Sequence, residues 1–196
     1  KDLLPTNKEN AGLWSIQGTA QYGLGQLEDA LVSYQTAISL NPASAAARSN
    51  YALPLFALGR YVEALNASDA AILADQTFQP GYINAANALQ AMGFPDQAVV
   101  PLQQAYELDK TNMQMGLVVA AMLLDTGDYD DARDIYFEIA AAKNPPKNIH
   151  AQINDFFKTA IERGAPKTKL VNDIDAWRQK HAHDPEVFEF VKNLKV

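Results

Sequence analysis

The chain has 196 residues, a net charge of −7, 48% apolar residues and no cysteine. The absence of cysteine excludes disulfides, thiolate zinc sites and thiol catalysis. The acidic balance argues against a nucleic-acid footprint, and the apolar runs are too short for a membrane span. Lys1 is not preceded by Met or by a leader pattern, so it is expected to be an expression or processing boundary, and the compartment stays unknown. Charge is unevenly spread: residues 1–146 carry −9 and residues 147–196 carry +2, a shift that marks an expected boundary near Pro145-Pro146.

Residues 1–10 are polar and aperiodic and read as an N-terminal tail. A helical period begins at Ala11 and runs to Leu24. There the stretch Leu24-Gly25-Gln26-Leu27-Glu28-Asp29-Ala30 interrupts it, and a second helical pattern continues to Asn41-Pro42. The same corner returns as Leu58-Gly59-Arg60-Tyr61-Val62-Glu63-Ala64, Met92-Gly93-Phe94-Pro95-Asp96-Gln97-Ala98 and Thr126-Gly127-Asp128-Tyr129-Asp130-Asp131-Ala132. Each return comes after 34 residues. With glycine at about one residue in twenty, three more in register by chance has odds of about one in ten thousand. The repeat divides the chain into 11–44, 45–78, 79–112 and 113–146.

The corner has a physical reading. Gly25, Gly59, Gly93 and Gly127 end the first helix of each repeat in a left-handed conformation. Acidic residues then open the second helix at its positive dipole end. Ala30, Ala64, Ala98 and Ala132 sit one turn further in, where a methyl group lets two helices approach. Pro80 opens the first helix of the third repeat, while Lys110-Thr111-Asn112 and Asn144-Pro145-Pro146 close the third and fourth.

The first repeat also carries Trp14, Gly18, Tyr34, Ala37 and Pro42 in the order that resembles the tetratricopeptide repeat family. Later repeats place Ala52, Ala86 and Ala120 where Gly18 stands, and Ala71, Ala105 and Ile139 where Ala37 stands. They depart at the Trp position (Arg48, Tyr82, Gly116), and Gln76 and Lys110 replace the closing proline. The resemblance covers residues 11–146. It implies an all-α fold, a right-handed α-solenoid of four tetratricopeptide-like helix pairs. The remaining residues, 147–196, are read as a C-terminal helical cap over the apolar face left by Val118, Ile135 and Ile139.

Beyond Pro146 the 34-residue frame puts Ile161 at the next corner position. Three helical patterns follow: 148–163 ending at Gly164, 168–181, and a third opened by Asp184-Pro185-Glu186.

Few residues suggest chemistry. His181 and His183 fall two apart at a predicted helix end, off a common face. Asp125, Asp128, Asp130, Asp131 and Asp134 do not fit an EF-hand, since Gly127 would occupy the third ligand position and no bidentate Glu follows in place. The sequon Asn66-Ala67-Ser68 lies inside a predicted helix. No phosphate loop, nucleophile elbow or zinc-protease motif is present. The expectation is a non-enzymatic chain with no metal and no cofactor.

The resemblance implies a concave groove lined by the first helix of each repeat. Projected onto this sequence it shows Ser15, Thr19 and Tyr22; Ser49, Asn50, Leu53 and Phe56; Ile83, Asn84, Asn87 and Gln90; then Leu117, Val118, Ala121 and Leu124. Tyr22, Asn50, Leu53, Phe56, Ile83, Asn84, Asn87 and Leu117 are the expected contacts for a partner peptide or helix. Across the four first helices the only charges are Arg48 and Asp125. One branch of the family holds chaperone C-termini with a two-carboxylate clamp of Lys, Asn, Asn, Lys and Arg. The matching positions here are Ser15, Thr19, Asn50, Pro80 and Asn84, so only Asn50 agrees and no cation remains to hold a carboxylate. A protein-binding scaffold is therefore expected. An interaction module cut from a larger catalytic or membrane-anchored protein, or a self-assembling homo-oligomer, are the alternatives.

Overall fold

The computed structural model describes residues 9–180. The expected helix after Asp184, the pair His181/His183 and most of the N-terminal tail lie outside them. The described residues form ten α-helices: α1 (Ala11–Gly23), α2 (Leu27–Leu40), α3 (Ala45–Ala57), α4 (Tyr61–Ala74), α5 (Gln79–Ala91), α6 (Pro95–Leu108), α7 (Met113–Thr126), α8 (Tyr129–Ala140), α9 (Ile149–Glu162) and α10 (Lys167–Lys180). The chain divides into two compact units, the N-terminal one ending at Asp109 and the C-terminal one beginning at Lys110. In the packing, α9 thus belongs to the same unit as α7 and α8, and the division falls inside the span of the four repeats.

In the N-terminal unit α1 packs on α2, α3 on α4 and α5 on α6, and α2 also packs on α3 and α4 on α5. Side chains cap the starts of three helices: Asn10 Oδ1 accepts the N–H of Leu13 at 3.2 Å, Ser44 Oγ that of Ala47 at 3.1 Å and, in the C-terminal unit, Asn112 Oδ1 that of Met115 at 3.1 Å. The first helices end in one recurring turn. At Gly59 (φ 75°) the Arg60 N–H donates to the Leu55 carbonyl and the Gly59 N–H to the Phe56 carbonyl, both at 2.9 Å. This is a Schellman motif, which satisfies carbonyls left open at a helix C-terminus.

A side chain at that φ is strained whatever the space around it, and the β-branched case is worst. We expect Gly59→Val to destabilise the fold by about 1 kcal/mol or more. Chemical denaturation checks this, and an unchanged midpoint would contradict the turn geometry.

The same turn occurs at Gly164 (φ 95°), where Ala165 N–H reaches the Ala160 carbonyl at 2.9 Å and Gly164 N–H the Ile161 carbonyl at 3.0 Å. The 34-residue frame therefore slips by three positions after Pro146, and the corner pattern itself continues. The extra residues lie in the linker between Ala140 and Ile149. The sequence places a helix end at Gly164, and α9 terminates there.

Small residues set the helix spacing. A Cβ added to Gly18 would sit 2.9 Å from the Tyr34 ring, so glycine at 18 is the partner of the large ring at 34. In the second and third repeats Ala52 and Ala86 accompany the smaller Ser68 and Leu102. A compact cluster of Leu31, Ala52, Leu55, Ala64 and Ala88 fills the middle of the N-terminal unit.

The core of the C-terminal unit is aromatic. Phe137 stacks on Trp177 at 4.7 Å, Phe156 meets Tyr136 at 5.2 Å and Phe157 at 5.0 Å, and Phe137 and Phe157 are 6.0 Å apart. These contacts tie α8 to α9 and α10. Ile135 and Ile139 are buried here, whereas Val118 stays 43% exposed, so Val118 is not covered as expected. Ion pairs reinforce the same helices: Arg133 bonds Asp130, Asp134 and Asp173, and Lys169 bonds Asp130. The Lys169 ammonium, with Arg133 beside it, holds the Asp130 carboxyl below the usual carboxylate range.

Candidate functional site

The three first helices of the N-terminal unit, α1, α3 and α5, share a face, since α1 contacts α3 and α3 contacts α5. On that face Tyr22, Leu53, Phe56, Asn84 and Asn87 line a shallow cleft of roughly 60 Å³, with Ala52 and Ala64 at its floor. Five of the expected contact residues thus converge. Phe56 is 39% exposed and its ring lies 5.2 Å from that of Tyr61, which holds it at the rim.

The other expected residues are placed differently. Asn50 and Ile83 are half-buried on the same helices but do not line the cleft. Leu117 is buried in the C-terminal unit, where it lines a separate depression. Ser49, expected on the surface, is 1% exposed, because it faces α5 and receives Asn84. The Asn84 amide donates to the Ser49 carbonyl at 3.1 Å and to Ser49 Oγ at 3.0 Å. Its amide nitrogen is therefore engaged between helices. Asn87 is exposed, and neither its amide nor that of Asn50 takes part in a hydrogen bond among the described residues.

Asn50 has a second property that its type did not reveal. Pro54, four residues on and inside α3, has no N–H to offer the Asn50 carbonyl. Ser15 is half-buried and Thr19 exposed, and both are engaged within the chain: the Tyr34 hydroxyl donates to Thr19 Oγ1 at 3.0 Å, and Thr19 donates to the Ser15 carbonyl at 3.0 Å. Burial pushes the Tyr34 phenol above its ordinary range.

Charge is kept off the cleft. Arg48 turns back along α3, where its Nε and Nη2 donate to the Pro42 carbonyl at 3.1 and 2.8 Å. Its guanidinium borders a depression with Gln35, Ile38 and Asn66 of the second helices. The acidic cluster of the fourth corner is engaged in pairing, with Asp125 on Arg163 at 2.8 Å and Asp130 on Arg133 at 3.0 Å. No three metal-ligating side chains converge among the described residues, and none of their helices is long and apolar enough to cross a membrane.

Helix pairs closed by one repeated turn, stacked so that their first helices share a face, define a helical repeat protein. The tetratricopeptide repeat model matches residues 17–80 and 83–148, and the chain belongs to that family. It is 31% identical over 107 residues to human DnaJ homolog subfamily C member 7, a match covering 55% of this chain and 22% of that protein. Among solved structures it is similar to YrrB, a TPR protein with an unusual peptide-binding site, at TM-score 0.65 and 19% identity over 97% of this chain and 96% of that one. It is also similar to the first TPR of Spaghetti (RPAP3), bound to the HSP90 peptide SRMEEVD, at TM-score 0.56 and 16% identity over 61% and 97% of the two chains.

Proposed function

We propose that the chain is a non-enzymatic scaffold whose N-terminal cleft holds an uncharged, apolar segment of a partner protein. The observation that carries this reading is the convergence of Tyr22, Leu53, Phe56 and Asn87 on one face from which every charge is turned away. The aromatic and aliphatic side chains take apolar groups out of water. Asn87, which offers two donors and two acceptor sites, pairs with a main chain whatever its sequence. Asn50, one turn before Leu53 on α3, lies outside the cleft lining and would meet only a segment that extends beyond it. Asn84 acts through Ser49, holding α5 to α3 so that the cleft keeps its width.

A relative of the same fold holds the acidic peptide SRMEEVD. Here the positions that would carry a carboxylate clamp are Ser15, Thr19, Asn50, Pro80 and Asn84, without a cation, so the favoured occupant is neutral. A cellulose array of blocked peptides, probed with the full chain, supplies a ligand for titration. Binding is expected to change little between about 0.05 and 0.3 M salt, because no fixed charge is there to be screened. Phe56→Ala with Asn87→Ala is expected to lose about 1–3 kcal/mol of binding in a folded protein. Replacing the outer acids Asp69 and Glu107 is expected to do far less. Asn84→Ala is expected to lower stability, since it removes both bonds to Ser49. Affinity that collapses with salt, or that follows Asp69 and Glu107, would overturn the reading.

A further inference from the structure

The C-terminal unit carries a larger depression, of roughly 340 Å³, on the face shared by α7 and α9. Its floor is apolar, from Leu117, Val118, Leu124 and Phe156, and Val118 is 43% exposed within it. Its polar lining comes largely from α9, as Gln152, Asp155 and Thr159. Two features set it apart from the neutral N-terminal cleft. The Gln152 Oε1 is buried without a hydrogen-bond partner, a costly state for an acceptor that a donor would relieve. Asp155 is exposed at the rim and is the one charged residue of the lining, and no ion pair holds it among the described residues. The nearby Asp125 is neutralised by Arg163, so the uncompensated charge at this site is the Asp155 carboxylate.

We propose that the α7–α9 face is a second docking surface, whose occupant is an apolar partner segment bearing a lysine or arginine. Aliphatic side chains of the segment cover Val118 and Leu124, while its cation sits between the Asp155 carboxylate and the Gln152 carbonyl. Glutamine has a free terminal rotation, so Gln152 turns toward an incoming donor without moving α9. The charge match selects the occupant: an acidic segment would bring a second uncompensated charge to Asp155, and a neutral one would leave that carboxylate without a partner. This assignment goes beyond the neutral cleft and stands or falls separately from it.

The test uses the full chain with isotope-labelled leucine and valine methyl groups. The probes are three blocked 14-residue amphipathic leucine peptides that differ in one central residue, Lys, Gln or Glu. The lysine peptide is expected to shift the Leu117, Val118 and Leu124 methyls and to bind about tenfold tighter than the glutamine peptide, as a charge-assisted hydrogen bond does. Asp155→Asn is expected to reduce that preference to about twofold without altering the methyl spectrum of the free protein. Equal binding of the three peptides, an unchanged preference in Asp155→Asn, or shifts confined to Leu53 would overturn the proposal. The last of these would leave the N-terminal cleft reading intact. A depression that accepts peptide only after residues 181–196 are deleted would also overturn it, by showing that this chain's own C-terminal segment is the occupant.

Discussion

A fragment ending at Pro146 is expected to lose the cooperative melting of its C-terminal part and to aggregate, while the N-terminal unit continues to melt as a unit. The cut removes Phe156, Phe157 and Trp177, which cover Tyr136 and Phe137 from α9 and α10. Tyr136, Phe137, Ile135 and Ile139 are each less than a tenth exposed in the folded chain. Uncovering them returns about 1.5–3 kcal/mol of burial per side chain to water. The fragment would retain only α7 and α8 of the C-terminal unit, and a lone helix pair cannot bury its own apolar face. The N-terminal unit keeps all three of its pairs and its central cluster. Size-exclusion chromatography and thermal melting by circular dichroism measure both effects. A monomeric fragment with an unchanged melting curve would show that α9 and α10 contribute no cover.

The repeat itself was legible because it rests on local chemistry. A left-handed turn admits glycine and penalises other residues, so Gly25, Gly59, Gly93 and Gly127 mark the corners in the sequence as they do in space. The helix end at Gly164 is legible in the same way, although the 34-residue interval does not reach it. Gly164 makes the same turn, but three added residues in the linker after α8 shift it out of register.

The candidate site was legible in part, for a related reason. Projecting a helix face finds residues on one side of an element, and this brought Tyr22, Leu53, Phe56, Asn84 and Asn87 to one cleft. It does not show which polar groups are spent between helices. Asn50, Asn84 and Asn87 look alike as letters, yet Asn84 is tied to Ser49 across 35 residues of chain. Nor does it show which helices share a face. Gln152, Asp155 and Phe156 were invisible as surface partners of Leu117 because α9 was read as cover for the repeat before it, and only the packing places α9 alongside α7.

The substitution Phe156→Ala is expected to destabilise the C-terminal unit by about 3–5 kcal/mol, the range for truncating a fully buried phenylalanine. Phe156 is 1% exposed and contacts the rings of Tyr136 and Phe157, so the surrounding core offers no flexible surface to collapse into the space. Part of the loss is burial and part is the cavity, which close-packed neighbours fill only partly. Phe156→Leu keeps most of the volume and is expected to cost about 1.5 kcal/mol or less, because volume-conserving apolar changes are tolerated best. The chain has two tryptophans, Trp14 on α1 and Trp177 on α10, so each unit can be followed separately. In a Trp14→Phe background the fluorescence of Trp177, stacked on Phe137, reports the C-terminal unit. In a Trp177→Phe background Trp14 reports the N-terminal one. The denaturation midpoint seen by Trp177 should fall steeply in Phe156→Ala, while that seen by Trp14 moves little. Equal shifts at both probes would mean that the units unfold as one, and no shift at Trp177 would remove the aromatic cluster from its place as the core of the C-terminal unit.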